Sequence, residues 1–579
     1  MKDFLKYMFA TVCGIILLSM VTMFMFMFSI IGMALSTDTE TKLDKHSVYH
    51  LKLEGTLVEQ AAADPFEEFA AKAMKRDLPK KVGLDDVLRN ISLAKEDKHI
   101  DGIYLDGGTL SAGFAAGQEL RRALLDFKQS GKFIVAYADS YTQSNYWLVS
   151  VADRVCLNSR GSLSWSGLSA NIMFFSRALQ KLGVEMQVVK VGTFKSAVEP
   201  YILTKMSDAN RLQMNVMLED LWSVVIADVA ESRGISVADL NKYADMNMTF
   251  QPEEMLVEYG FVDTLMYQQN VKPMLVALTG SDDYKLVSHS DMLNVPDVEK
   301  SETDKVAIIY AEGEITDADG DGIVGKDMVK LINKTAKDDD VKAVVLRVNS
   351  PGGSAYASEQ IWHALSLLKE KKPLVVSMGD YAASGGYYIS CVADSILAEA
   401  TTITGSIGIF GIIPSVAGLT DKLGIDLDGV GTNRMSLMSS NMVYKGMNSE
   451  ERALMQGEIN RGYELFVKRC ADGRGMTTEA IKQIAEGRVW SGKRAIDIGL
   501  VDALGNVDDA VVAAASLAGL DKYEVIDADK PESAFMQMLA EFAGVDDEDQ
   551  ELLREFKSLR HMAQQPSLQA RMPYKVVVR

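Results

Sequence analysis

The chain has 579 residues, 24% of them charged and 47% hydrophobic, and a net charge of -20 at pH 7. That length exceeds a single core and fits two or three domains. The acidic balance speaks against a nucleic-acid binder, which neutralises phosphates with Lys and Arg, and reads as an ordinary solvated surface. The four cysteines, Cys13, Cys156, Cys391 and Cys470, form no CxxC pair, which argues against a zinc site.

The chain opens on a membrane signal. From Tyr7 to Thr37 there is no charged residue, and Phe, Met, Ile and Leu dominate. A span needs about 20 apolar residues, whereas the apolar region of a cleaved signal peptide runs to only about 7–15. Lys2 and Lys6 precede the stretch, and Asp38 and Glu40 come after it. The positive-inside rule then keeps the short N-terminus in the cytoplasm and puts the body outside. Residues 1–37 are therefore expected to be a single-pass anchor, and 38–47 a polar tether.

Beyond the tether, one pattern is written twice. Ile100–Asp153 aligns with Val341–Asp394 without a gap at an offset of 241 residues. VYHLKLEG from Val48 and VAIIYAEG from Val306 are the opening strands of the two copies. Apolar residues at helical spacing predict helices over Gln118–Ser130 and Ser358–Lys371. Apolar strands alternating with helices indicate parallel βαβ units and an α/β class. The copies span 48–280 and 305–525, joined by a polar linker at 281–304. A charged tail, 526–579, ends in YKVVVR, either a helix with a docking terminal strand or a mobile end.

The copies differ where chemistry would sit. The second carries SPGGS at Ser350–Ser354 and ASGG at Ala383–Gly386, where the first reads TLSAG and TQSN. Ser384 lies at a strand-to-helix turn, the setting of an exposed nucleophile. Taken alone, the position favours a helix cap. Gly352 and Gly353 on the preceding loop change the balance, because a glycine pair after a strand can turn N–H groups towards an oxyanion. A Ser-His-Asp triad lacks its base, since no histidine falls between Ser384 and His561. Lysine can replace histidine if its pKa falls by roughly three units from ~10.4. Lys195 in VGTFKSAVEP has apolar neighbours that would keep it dry, and Arg434 answers it in the second copy. An ordinary surface lysine is the bland alternative, and Glu199 stands close enough in sequence to pair with Lys195 and spoil it as a base.

GTFKSAVEP, RVNSPGGS, YAASGGYYIS and TGSIGIFG together make the chain resemble the signal peptide peptidase A (protease IV) family, in its long form with two tandem domains. The resemblance runs over nearly the whole chain. It implies two Clp/crotonase-like βαβ spiral domains and a serine endopeptidase with Ser384 as nucleophile and Lys195 as general base. Gly353, with Gly352, would form the oxyanion hole, and Ser406 of TGSIG would orient the lysine. It further implies a homotetramer on the bacterial inner membrane, catalytic body in the periplasm, acting on signal peptides and other apolar peptides without metal or cofactor. Three other readings stand beside it: a general extracytoplasmic quality-control protease, a non-catalytic membrane scaffold, and a crotonase-type acyl-CoA enzyme.

Overall fold

The structure is a computed structural model that describes residues 6–9, 11, 14–22, 40–61, 80–296, 304–320, 322–529 and 568–571, the last four by backbone alone. Most of the expected anchor and most of the charged tail lie outside the described residues. Among the described residues no helix is long and apolar enough to cross a membrane.

The first copy contributes strands β1 (Ser47–Val58), β2 (Lys81–Gly83), β3 (Ile100–Ser111), β4 (Phe133–Tyr141), β5 (Arg154–Leu163), β6 (Glu185–Lys190), β7 (Thr264–Leu265) and β8 (Lys285–Ser288). The second opens with β9 (Lys305–Glu312), β10 (Ile315–Thr316), β11 (Ile323–Val324), β12 (Val341–Ser350), β13 (Gly352–Ser354), β14 (Leu374–Ala383) and β15 (Ser395–Ala398). It continues with β16 (Ile403–Gly405), β17 (Phe410–Ser415), β18 (Val489–Ser491), β19 (Ala503–Leu504), β20 (Glu524–Asp527) and β21 (Leu568–Arg571).

Each copy builds the same parallel sheet. The first runs β8-β1-β3-β4-β5-β7 with β2 also on β1, and the second runs β20-β9-β12-β14-β15-β19. Both are covered by helices, which is why their central strands are continuous apolar runs rather than alternating ones. Ile103 and Leu105 of β3, and Val344 and Leu346 of β12, are fully buried at equivalent places. The covering helices run Phe114–Lys128 and Ala355–Lys369, starting a few residues earlier than the apolar spacing alone predicts. The second is capped by Ser354, whose hydroxyl accepts from the Ala357 N–H.

The stretch read as a linker is partly regular. β8 pairs in parallel with β1, and a capping box at Ser288 opens the helix His289–Leu293. A third sheet joins the copies, with strand order β11-β10-β13-β21-β17-β6. In it β6 of the first copy pairs antiparallel with β17 of the second, Lys190 opposite Phe410 and Glu185 opposite Ser415. The tail strand β21 docks within its own chain, antiparallel to both β13 and β17. The terminal YKVVVR lies outside the described residues.

Candidate functional site

The site lies where that joining sheet meets the C-terminal ends of the second copy's strands. Ser384 comes directly after β14 with φ 58° and ψ -114°, a left-handed conformation that a residue with a Cβ rarely adopts. It occupies the N-cap place of the helix Gly385–Ser390, yet its side chain caps nothing. The capping alternative therefore fails. The turn is held by the backbone: Ser384 N–H donates to Gly405 O at 2.8 Å, and Ser384 O accepts from Tyr388 N–H at 2.9 Å.

The two glycines after Ser384 are needed for close packing. A Cβ at Gly385 would stand 3.1 Å from Gly352 Cα and 3.2 Å from Gly353 N, and one at Gly386 would stand 2.6 Å from Ser350 O. The Ser384 turn is thereby pressed onto the SPGG loop. Gly353 is itself packed against β10, where a Cβ would collide with Ile315 O. Gly352 has φ +94° and its N–H donates to Ser350 Oγ at 3.1 Å.

Lys195 arrives from the other copy, on the loop after β6. Its Nζ donates to Ser384 Oγ at 2.8 Å, to Ser406 O at 3.0 Å and to Ser406 Oγ at 3.1 Å. The residue is completely buried, and burial alone holds its amine well below the ordinary lysine pKa of 10.5. Glu199 does not interfere. It lies in the short helix Glu199–Ile202 and accepts from Ser207 N–H and Oγ and from Asn210 Nδ2, at 3.1, 2.6 and 2.9 Å. Its three oxygen partners carry no charge, and no carboxylate is among them.

Ser406 is a second strained residue, at φ 53°. Its N–H donates to Arg488 O at 2.7 Å, so the oxygens facing Lys195 are fixed from behind. Sequence reasoning missed this support. The turn Glu486–Arg488 seats the lysine loop: Phe194 N–H donates to Glu486 O at 2.9 Å, and a Cβ on Gly487 would strike Lys195 Cβ at 2.6 Å. Gln213 completes the clamp. Its Nε2 donates to Phe194 O and Ser196 Oγ, on either side of Lys195, and its Oε1 accepts from Val489 N–H of the second copy. Only the single glycine of AEGR, Gly487, hints at the turn from sequence.

The equivalent places in the first copy are filled by structural side chains. Gln143 stands where Ser384 would, and its Oε1 accepts from Ser166 and Gly167 N–H. Trp165, fully buried, stands where Ser406 would. Asp380 of the second copy caps the helix at Ala115 and Ala116, and a Cβ on Gly113 would overlap its carboxylate. Arg434, the counterpart of Lys195, is exposed and paired with Glu450. Among the described histidines, four bond elsewhere: His46 to Asp101, His50 to Asp106, His99 to Asp97 and His289 to Tyr49. His363 is exposed.

Comparison with known proteins agrees with this division into two copies. The model of Peptidase family S49 matches the chain twice, over residues 126–279 and 366–521. Protease 4 of Haemophilus influenzae is 32% identical over 550 residues, covering 89% of this chain and 87% of its own. Protease 4 of Salmonella typhi is 37% identical over 456 residues, with 76% of this chain and 73% of its own covered. The chloroplastic serine protease SPPA of Arabidopsis thaliana is 29% identical over 474 residues, with 79% and 70% covered. A doubled family match and relatives aligned over most of their length establish that the chain belongs to peptidase family S49 and is a serine protease.

Proposed function

We propose that this protease is a membrane-anchored endopeptidase that degrades remnant signal peptides with a Ser384–Lys195 dyad. The observation that carries the reading is the 2.8 Å hydrogen bond from a fully buried, carboxylate-free Lys195 Nζ to Ser384 Oγ. Ser384 Oγ attacks the scissile carbonyl while neutral Lys195 takes its proton. The Gly353 N–H, beside Gly385, stabilises the oxyanion; Gly352 is the weaker candidate because its N–H already serves Ser350. Lys195 then returns the proton to the leaving amine and activates the water that frees the acyl-enzyme. Ser406 keeps the amine aimed through the cycle.

An extended peptide suits this site. On its side away from β10, β13 pairs with an extended antiparallel strand, β21, with Ala570 opposite Gly353. The apolar N-terminus would hold the site at the bacterial inner membrane, where cleaved signal peptides remain. The doubled sheets belong to a Clp/crotonase-like spiral, and the working form is a homotetramer.

A fluorophosphonate probe should label Ser384, read by peptide mass mapping, and isolated signal peptides should be cut faster than an unfolded soluble protein. Absence of labelling would sink the nucleophile. Equal rates on both substrates would turn the reading into general quality control.

The dry lysine sets the pH dependence. Only the neutral amine accepts a proton, and burial lowers its pKa. Activity should therefore climb with pH through a midpoint well below the ordinary lysine value of 10.5. A kcat/KM profile that stays flat from acid to alkaline pH would remove Lys195 as the base.

A further inference from the structure

The loop that carries Lys195 is held from the helix Asp208–Arg233 by one buried amide. Gln213 Nε2 donates to Phe194 O at 3.1 Å, to Ser196 Oγ at 2.9 Å and to Asn210 Oδ1 at 3.2 Å. Its Oε1 accepts from Val489 N–H at 3.4 Å. Val489 pairs with Gly405, whose carbonyl takes the Ser384 N–H. The donor end of this side chain thus holds the carbonyl that joins Phe194 to Lys195. Its acceptor end holds the strand behind Ser384.

The same line of amides leads to a charge. Glu199 is buried four residues after Lys195, and among the described residues it has no cationic partner. Its carboxylate takes Ser207 N–H and Oγ and Asn210 Nδ2, and Asn210 Oδ1 in turn takes Gln213 Nε2. Two neutral amides therefore stand in line between this carboxylate and the lysine loop. The other charged groups around the loop are engaged elsewhere. Lys190 Nζ donates to Lys195 O at 3.3 Å, and exposed Glu486 takes Thr193 N–H. The Arg488 guanidinium lies 5.1 Å over the Phe194 ring. Asp220, on the helix of Gln213, accepts from Arg494 and Ser491.

We propose that Gln213 is a positioning residue for Lys195 and that, with Asn210, it keeps the Glu199 charge away from the amine. The inference rests on the proposed Ser384–Lys195 dyad and names what tunes its base. Only a neutral amide serves both ends, donating to Phe194 O and accepting from Val489 N–H at once. A carboxylate at 213 keeps the Val489 bond, opposes the Phe194 carbonyl and brings a negative charge against the lysine loop. That charge favours the ammonium form, so it raises the pKa of Lys195 and leaves less neutral base at a given pH. An apolar side chain of similar length loses the strap without adding charge.

The test follows kcat and KM against pH on an apolar peptide for the full chain, with Gln213→Met and Gln213→Glu beside wild type. Gln213→Met should lower kcat roughly 10-fold, leave KM near wild type and leave the acid midpoint of kcat/KM in place. Gln213→Glu should move that midpoint up by about one pH unit. Equal midpoints in the two variants would make Gln213 a packing residue and overturn the inference. Should Gln213→Glu fail to give the wild-type circular dichroism spectrum, the exchange of Glu199→Gln with Asn210→Asp decides instead. It keeps the number of charges and the bond between 199 and 210, and it moves the charge one amide closer to Lys195. Its midpoint should also rise, and an unmoved one overturns the inference. A wild-type profile with no acid midpoint removes Lys195 as the base and the inference with it, so the two failures read differently.

Discussion

Ser384→Ala and Lys195→Ala should each abolish peptide hydrolysis, lowering kcat by roughly 10³–10⁶-fold, while the chain keeps its fold. Losses of that size arise when one member of a coupled pair is removed, because the remaining member has nothing to act on. The two single losses should not add in the double variant, which is the signature of residues working as a unit. Lys195→Met sharpens the test. It keeps most of the buried volume and removes the amine. A lysine whose folded pKa is depressed opposes folding below its unfolded pKa, because the unfolded chain binds the proton that the folded chain excludes. At neutral pH the methionine variant should therefore be dead and yet melt higher than wild type. That pairing of lost activity with gained stability is expected of a group kept for chemistry. A Lys195→Met chain that hydrolyses peptides at the wild-type rate would end the dyad reading.

The residues of the proposed dyad stand out in the sequence because the duplication supplies its own control. Ser384 and the two glycines after it stand out against Gln143, Ser144 and Asn145, and Lys195 against Arg434. The parallel sheets were legible for the same reason, since two copies of one apolar pattern support each other. The clamp around Lys195 was not. Thr193 N–H meets Glu486 Oε2 across 293 positions of sequence, and Gln213 looks like any polar residue on the helix Asp208–Arg233. Glu199 shows the opposite failure, where closeness in sequence suggested a pairing. One short helical turn gives its carboxylate to Ser207 and Asn210 instead. The stretch read as a linker hid β8 because a single buried residue, Val287, carries its contact with the sheet.

Arg347→Met should destabilise the protein by about 3–5 kcal/mol in denaturant unfolding, the cost of leaving a buried charge without its partner. Arg347 lies on β12 and is almost wholly buried. Its Nε donates to Glu59 Oε2 at 2.8 Å, its Nη1 to Ser377 Oγ at 2.9 Å, and its Nη2 sits 2.7 Å from Glu119 Oε1. Glu59 and Glu119 both belong to the first copy, so one guanidinium of the second copy bridges two carboxylates across the contact between copies. Burial pushes the Glu119 carboxyl up to about 8, against the pull of Arg347, while Glu59 also receives Asn349 Nδ2 at 2.9 Å. Removing the arginine strands the Glu59 charge; removing that charge too should restore much of the loss. Arg347→Met with Glu59→Gln is therefore expected to be more stable than Arg347→Met alone. The Lys195–Ser384 hydrogen bond forms across the same contact between copies, with Lys195 on one side and Ser384 on the other. Peptidase activity in Arg347→Met should accordingly fade at a lower temperature than the unfolding of either copy's own sheet. If the double variant is no more stable than the single one, the arginine is holding shape and not charge.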